Sequence, residues 1–107
     1  EERSLEVINF TDKVDPAKKN LPGTLELEVE NNGKMWLDSK IRWELMNMQT
    51  GDKQKLADQD SFTLPRDKRI IKQNLPAELK KGKYNATAVI NYGNKDQLKV
   101  VELEFER

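Results

Sequence analysis

The sequence predicts an all-β sandwich of seven to eight antiparallel strands in one domain spanning residues 1–107. Three observations carry that prediction. Apolar and polar residues alternate at period two in several segments, most cleanly over Thr24–Glu30. Turn-forming clusters of Gly, Pro, Asn and Asp recur roughly every ten residues, the spacing of a sandwich. No segment repeats its apolar residues at the helical period.

Each element follows from local pattern. Ser4–Phe10 reads as a first strand whose parity changes: Leu5 and Val7 share one face, Ile8 and Phe10 the other. Such a change needs a bulge or a bend. Residues 11–23, with two Pro and one Gly, form a connection. Leu25, Leu27 and Val29 then alternate with Glu26, Glu28 and Glu30, a half-buried strand with an acidic wet face, closed by Asn31-Asn32-Gly33. In Lys40–Asn47, Ile41, Trp43 and Leu45 fall on one face. A weak strand is expected through Gln54–Ala57 and a separate short one over Ser61–Leu64, closed by Pro65.

Arg69–Gln73 continues the series, with Ile70 and Ile71 on opposite faces. Leu75–Lys83 holds Pro76 and Gly82, with room for one helical turn over Ala77–Lys80. Tyr84, Ala86, Ala88, Ile90 and Tyr92 share one face of the next strand, and Gly93–Asp96 makes a hairpin turn. Leu98–Phe105 is the last strand, and its parity changes between Val100 and Val101. Both parity changes fall in terminal strands, where a sandwich chain can bend or move between sheets.

Composition narrows function. Hydrophobic and charged residues each make up 36%, a polar balance that suits disorder unless the apolar residues are ordered. Here they are ordered in pairs of faces, and the net charge is zero. Zero net charge with interleaved signs argues against nucleic acid, which needs clustered Lys and Arg. The basic doublets Lys18-Lys19 and Lys80-Lys81 sit in expected loops.

The chain has no Cys and no His, so a Ser-His-Asp triad, a thiol nucleophile, a disulfide and a His- or Cys-bound zinc are excluded within it. No cofactor is expected. No run of roughly 18 apolar residues exists, so no membrane-spanning helix is expected. The start at Glu1-Glu2-Arg3 without Met reads as a processed or excised piece of a larger protein.

Few residues offer chemistry. The ladders Glu26/Glu28/Glu30 and Glu102/Glu104/Glu106 supply carboxylates, but catalysis needs two held across a cleft with one buried, and the pattern gives solvent faces. The expectation is a chain that is not an enzyme. Asp12, Asp15, Asp58, Asp60 and Asp96 lack the spacing of a calcium loop and read as turn residues. Asn9-Phe10-Thr11 and Asn85-Ala86-Thr87 match a glycosylation acceptor, which matters only in a eukaryotic secreted protein.

Trp43 is expected in the core. Trp36, beside Met35, reads either as a lid over the end of the core or as an exposed aromatic for a protein or sugar partner, with Tyr92 a possible second platform. Trp36, Met35 and Tyr92 are therefore the candidate partner-binding residues. Tyr84, following Leu79-Lys80-Lys81-Gly82-Lys83, is placed for a tyrosine corner.

The ordered set Val29-Glu-Asn-Asn-Gly33, Met48-Gln-Thr-Gly51, Leu64-Pro65 followed by Arg69, Leu79-Lys-Lys-Gly-Lys-Tyr84 and Ile90-Asn-Tyr-Gly93 resembles immunoglobulin-like domains of bacterial cell-envelope proteins related to pilus-assembly chaperones. The likeness spans about residues 25–105. It implies an immunoglobulin-like sandwich in a secreted or periplasmic bacterial protein, working as a non-catalytic binding or spacer module on a protein partner. A carbohydrate-binding accessory module using exposed aromatics is the alternative. The last strand, Lys99–Phe105, also alternates enough to pair with an added strand.

Overall fold

The computed structural model describes residues 3–94 and 97–107. Among them the chain forms β1 (Leu5–Lys13), β2 (Thr24–Asn31), β3 (Leu37–Asn47), β4 (Lys53–Thr63), β5 (Lys68–Asn74), β6 (Lys83–Asn91) and β7 (Lys99–Glu106). They build two antiparallel sheets, β1-β2-β5 and β4-β3-β6-β7, packed face to face as an immunoglobulin-like sandwich.

Alternation explains the core. Leu25, Leu27 and Val29 of β2 face Ile41, Trp43 and Leu45 of β3 and Tyr84, Ala86, Ala88 and Ile90 of β6, all buried. The alanines of β6 leave room for the large Trp43 beside them in register with Ala88. Trp43 is in the core as its parity requires, with Phe10 tilted against it at 6.0 Å between ring centroids. Its indole N–H donates to Gln59 Oε1 at 3.0 Å, so the polar atom of a buried ring is satisfied.

The parity change in β1 is a bulge. Val7 pairs with Val29 and Asn9 with Glu28, leaving Ile8 as the extra residue. The bulge turns Ile8 outward and returns Phe10 to the same inner face as Leu5 and Val7. β1 stays paired with β2 along its length and does not change sheets. β7, in contrast, runs from Lys99 to Glu106 in unbroken register with β6. Its parity change needs no bend: Val100 lies outward opposite Val89, while Val101, Leu103 and Phe105 lie inward.

Two further expectations are corrected. Gln54–Ala57 and Ser61–Leu64 are one strand, β4, with its own irregularity between the Ile41–Gln59 and Trp43–Leu56 pairs. Asp58 and Asp60 therefore lie in a strand rather than in a turn. Where one helical turn is expected over Ala77–Lys80, the chain makes a tight turn, Pro76–Leu79, closed by Leu79 N–H donating to Pro76 O.

The tyrosine corner is present: Tyr84 O–H donates to Lys80 O at 2.6 Å. It fixes the loop before β6, and Phe105 stacks on the same ring at 5.7 Å. Side chains also strap the two open sides of the sandwich. Gln59 Nε2 donates to Lys72 O and Gln73 Nε2 to Ala57 O, joining β4 to β5. Arg107 pairs with Asp12 at 2.7 Å and donates to Pro22 O, joining the end of β7 to β1 and its loop.

Candidate functional site

One end of the sandwich collects the start of β1, the β2–β3 turn, the β4–β5 turn and the chain after β6. Asn31 organises it. This side chain is fully buried at the end of β2. Its Nδ2 donates to Met35 O at 2.8 Å and Thr63 O at 3.3 Å, and its Oδ1 accepts from Gly33 N–H at 3.1 Å. Its backbone exchanges bonds with the next turn: Arg66 N–H donates to Asn31 O, and Asn31 N–H to Asp67 O. Asp67 in turn accepts from Leu64 N–H and pairs with Arg69 at 3.2 Å. The segment after the turn is thus fixed before β3 begins, and with it the direction of Trp36.

Trp36 precedes Leu37, which is buried and paired with Thr63. Alternation sends Leu37 and Thr63 inward and their neighbours outward. Trp36 is 50% exposed, Phe62 54% and Leu64 53%. The rings of Trp36 and Phe62 meet at 5.8 Å with a 31° tilt. Met35, the residue before Trp36, is half-buried. Single exposed apolar residues are ordinary, but adjacent aromatic and aliphatic groups on one end form a patch with the make-up of a contact surface.

The ring of Trp36 rests on Phe62 and leaves half its surface to solvent, where a partner can reach it. Tyr92 is the reverse case. It is 2% exposed, since it continues the inward parity of Ala88 and Ile90, and its hydroxyl donates to Gln97 Oε1 at 3.4 Å. Tyr92 is part of the core and offers no platform. Phe62 takes its place, and the sequence pattern did not reveal it.

The polar surroundings of the patch lie further down the outer face of the four-stranded sheet. Asp38 stands opposite Phe62, and Lys40 opposite Asp60. All three charged residues are exposed. Beyond them Arg42, Glu44, Lys55, Asp58 and Thr87 border a shallow hollow of about 250 Å³ where β4 is irregular.

The carboxylate ladders do not converge. Glu26, Glu28 and Glu30 stand across from Lys72, Ile70 and Lys68 on one sheet, and Glu102, Glu104 and Glu106 line β7 on the other. Their outer faces point away from each other, so no cleft lies between the two ladders. Asp12 is engaged by Arg107, and Asp15 caps its own turn by accepting from Ala17 N–H. No group of three or more acidic side chains gathers at metal-binding distance among the described residues. Asp96 lies outside the described residues. No helix among them is long and apolar enough to cross a membrane.

Comparison with known proteins places the fold. No family model and no curated protein sequence matches the chain. Solved structures do match. A β-glucosidase from intestinal bacteria, involved in saponin metabolism, superposes with a TM-score of 0.67 at 11% identity, over 95% of this chain and 16% of its own. The β-glucosidase of Listeria innocua gives 0.59 at 12% identity, over 96% of this chain and 16% of its own. That of Kluyveromyces marxianus gives 0.57 at 15% identity, over 98% and 14%. The chain thus has the fold of a small part of these much larger proteins.

Proposed function

We propose that the chain is a non-catalytic immunoglobulin-like module that binds a protein partner through the patch formed by Trp36, Phe62 and Leu64, in a bacterial secreted or periplasmic protein. The observation that carries this reading is the Trp36–Phe62 pair, two large rings held half in solvent by a rigid turn. Exposed aromatics on a preordered surface are what anchor protein interfaces, because little side-chain entropy is lost when they are covered. Leu64 and Met35 extend the apolar area, which suits a protein surface better than a sugar.

The envelope setting rests on the resemblance to domains related to pilus-assembly chaperones. Its motif residues also have structural work in the fold: Asn31 anchors a turn, Asp67–Arg69 follows Leu64-Pro65, and Tyr84 forms the corner. The absence of His and Cys, and the divergence of the acidic ladders, support the non-catalytic part of the proposal.

A second reading is a carbohydrate-binding accessory module. The specific support is that matching structures are β-glucosidases of which this fold is about a seventh. The Trp36 ring, with Asp38 and Asp60 below it, would then stack on a sugar face.

A photo-crosslinking amino acid at position 62, with position 70 on the opposite outer face as control, tests the first reading in the native host. A discrete protein adduct from position 62 alone is expected. Adducts from both positions alike, or from neither, contradict it. Titration with cellobiose and laminaribiose, read by tryptophan fluorescence, tests the second. A saturable shift abolished by Trp36→Ala would favour the sugar reading.

A further inference from the structure

β7 is the outermost strand of the four-stranded sheet, and its hydrogen-bonding pattern can be worked out residue by residue. Arg107 and Gly82 exchange both backbone bonds, at 3.0 and 2.7 Å. In an antiparallel ladder bonded and non-bonded pairs alternate. Phe105–Tyr84, Leu103–Ala86 and Val101–Ala88 are therefore bonded pairs in the printed register. The backbone N–H and C=O groups of Val100, Glu102, Glu104 and Glu106 point the other way, toward the edge, where Glu106 O is taken by Arg107 Nη1 at 2.7 Å and the groups of Val100, Glu102 and Glu104 are left open. β1 of the other sheet approaches this side but exchanges no backbone bond with β7.

The other edges are blunted. β1 carries the bulge at Ile8. β4 is irregular at Ala57–Asp58, where Ala57 O is taken by Gln73. β5 has Lys72 O taken by Gln59. β7 has no bulge, and its side-chain strap lies at its very end, where Arg107 Nη1 bonds Glu106 O and Asp12; over Val100–Glu104 no side-chain bond crosses the edge among the described residues. A regular, unprotected edge is a template for strand pairing.

The side chains state what kind of strand fits. Glu102, Glu104 and Glu106 are exposed in a row on the outer face, about 7 Å apart. Glu102 accepts from Asn85 Nδ2, Glu106 lies 3.9 Å from Lys83, and among the described residues no cation lies that close to Glu104. On the inner side Val101 and Leu103 are half-buried, with apolar surface left open at the margin of the core. A second copy of this chain fits badly, because antiparallel β7–β7 pairing sets one glutamate row against the other.

We propose that the edge of β7 takes an extended segment of a partner by strand addition, one with basic residues at alternate positions to meet the glutamates and apolar residues between them to cover Val101 and Leu103. This surface is separate from the Trp36 patch, so it stands or falls independently of that reading.

The test uses a short capped peptide of alternating Lys and Val, with amide exchange followed by NMR. In the free protein the amides of Val101, Leu103 and Phe105 should exchange slowly and those of Val100, Glu102, Glu104 and Glu106 fast. The peptide should slow the second set. Glu102→Lys with Glu104→Lys should weaken binding about tenfold. Glu104→Pro removes an outward N–H, a place where an edge strand tolerates proline, and should weaken it about fivefold. Three results would overturn the proposal: equal binding of a peptide with the same Lys residues in one block, protection mapping to β4 or β5, or protection that accompanies dimerisation without peptide.

Discussion

Replacing Asn31 tests whether one buried amide sets the geometry of the patch. In Asn31→Ala three hydrogen bonds are lost, those to Met35 O, Thr63 O and from Gly33 N–H. At about 1 kcal/mol net for each, the cost is about 3 kcal/mol, with more if a buried carbonyl stays unpaired. That is a large part of the 5–15 kcal/mol, roughly, that holds a small domain folded, and it lowers Tm by about 12–20 °C. Asn31→Asp keeps the shape but turns an oxygen toward the two carbonyl oxygens. Burial and that repulsion disfavour its charged form, so its folded-state pKa is raised above its unfolded one. The folded state then holds the proton more tightly, and the penalty is full at neutral pH and shrinks as pH falls through the folded pKa. Urea unfolding of both variants and the parent at pH 7 and pH 4.5 reads this directly. A cost below about 1 kcal/mol for Asn31→Ala, or an Asn31→Asp penalty that does not change with pH relative to the parent, would refute the reasoning.

Other outcomes follow from single contacts. Tyr84→Phe deletes the bond to Lys80 O and should cost about 1–1.5 kcal/mol in denaturant unfolding with the m-value unchanged. Gly23→Ala should be worse than an ordinary loop change: Gly23 sits at φ +95°, and an added Cβ would overlap the carbonyl oxygen of Lys13. A melting curve within about 2 °C of the parent would contradict that. Trp36→Ala should change stability by less than about 1 kcal/mol and remove the acrylamide-quenchable part of the tryptophan emission, because Trp43 is buried.

Much of the fold is legible in the sequence because half-buried strands write their faces in period two. β2, β3 and β6 do so plainly, and the sandwich, the core position of Trp43 and the Tyr84 corner follow from them. The bulge in β1 is legible from Leu5, Val7 and Phe10, which can share a face only if a residue is extra. β4 is hidden because it is an edge strand with Leu56 as its one half-buried apolar residue over Lys53–Asp60, too little burial to print a pattern. β7 misleads for a different reason: Val100 faces outward against Val89, an apolar cross-strand pair on the wet side.

The site was half legible. Trp36 breaks the inward parity of Leu37, which marks it as outward. Tyr92 belongs to the inward set from Tyr84 to Ile90, so its burial was available from the same rule. Phe62 was not, since its meeting with Trp36 depends on the pairing of Leu37 with Thr63 across a long hairpin. Register at that distance is set by packing and leaves no mark within either segment.

The central claim is that Trp36 and Phe62 bind and do not hold the fold. The double variant Trp36→Ala with Phe62→Ala measures both at once, through affinity for the protein crosslinked from position 62 and through thermal unfolding. The account predicts a loss of affinity of about thirtyfold or more with Tm within about 5 °C of the parent. Unchanged affinity, or a collapse of the fold that accounts for the loss, would contradict it.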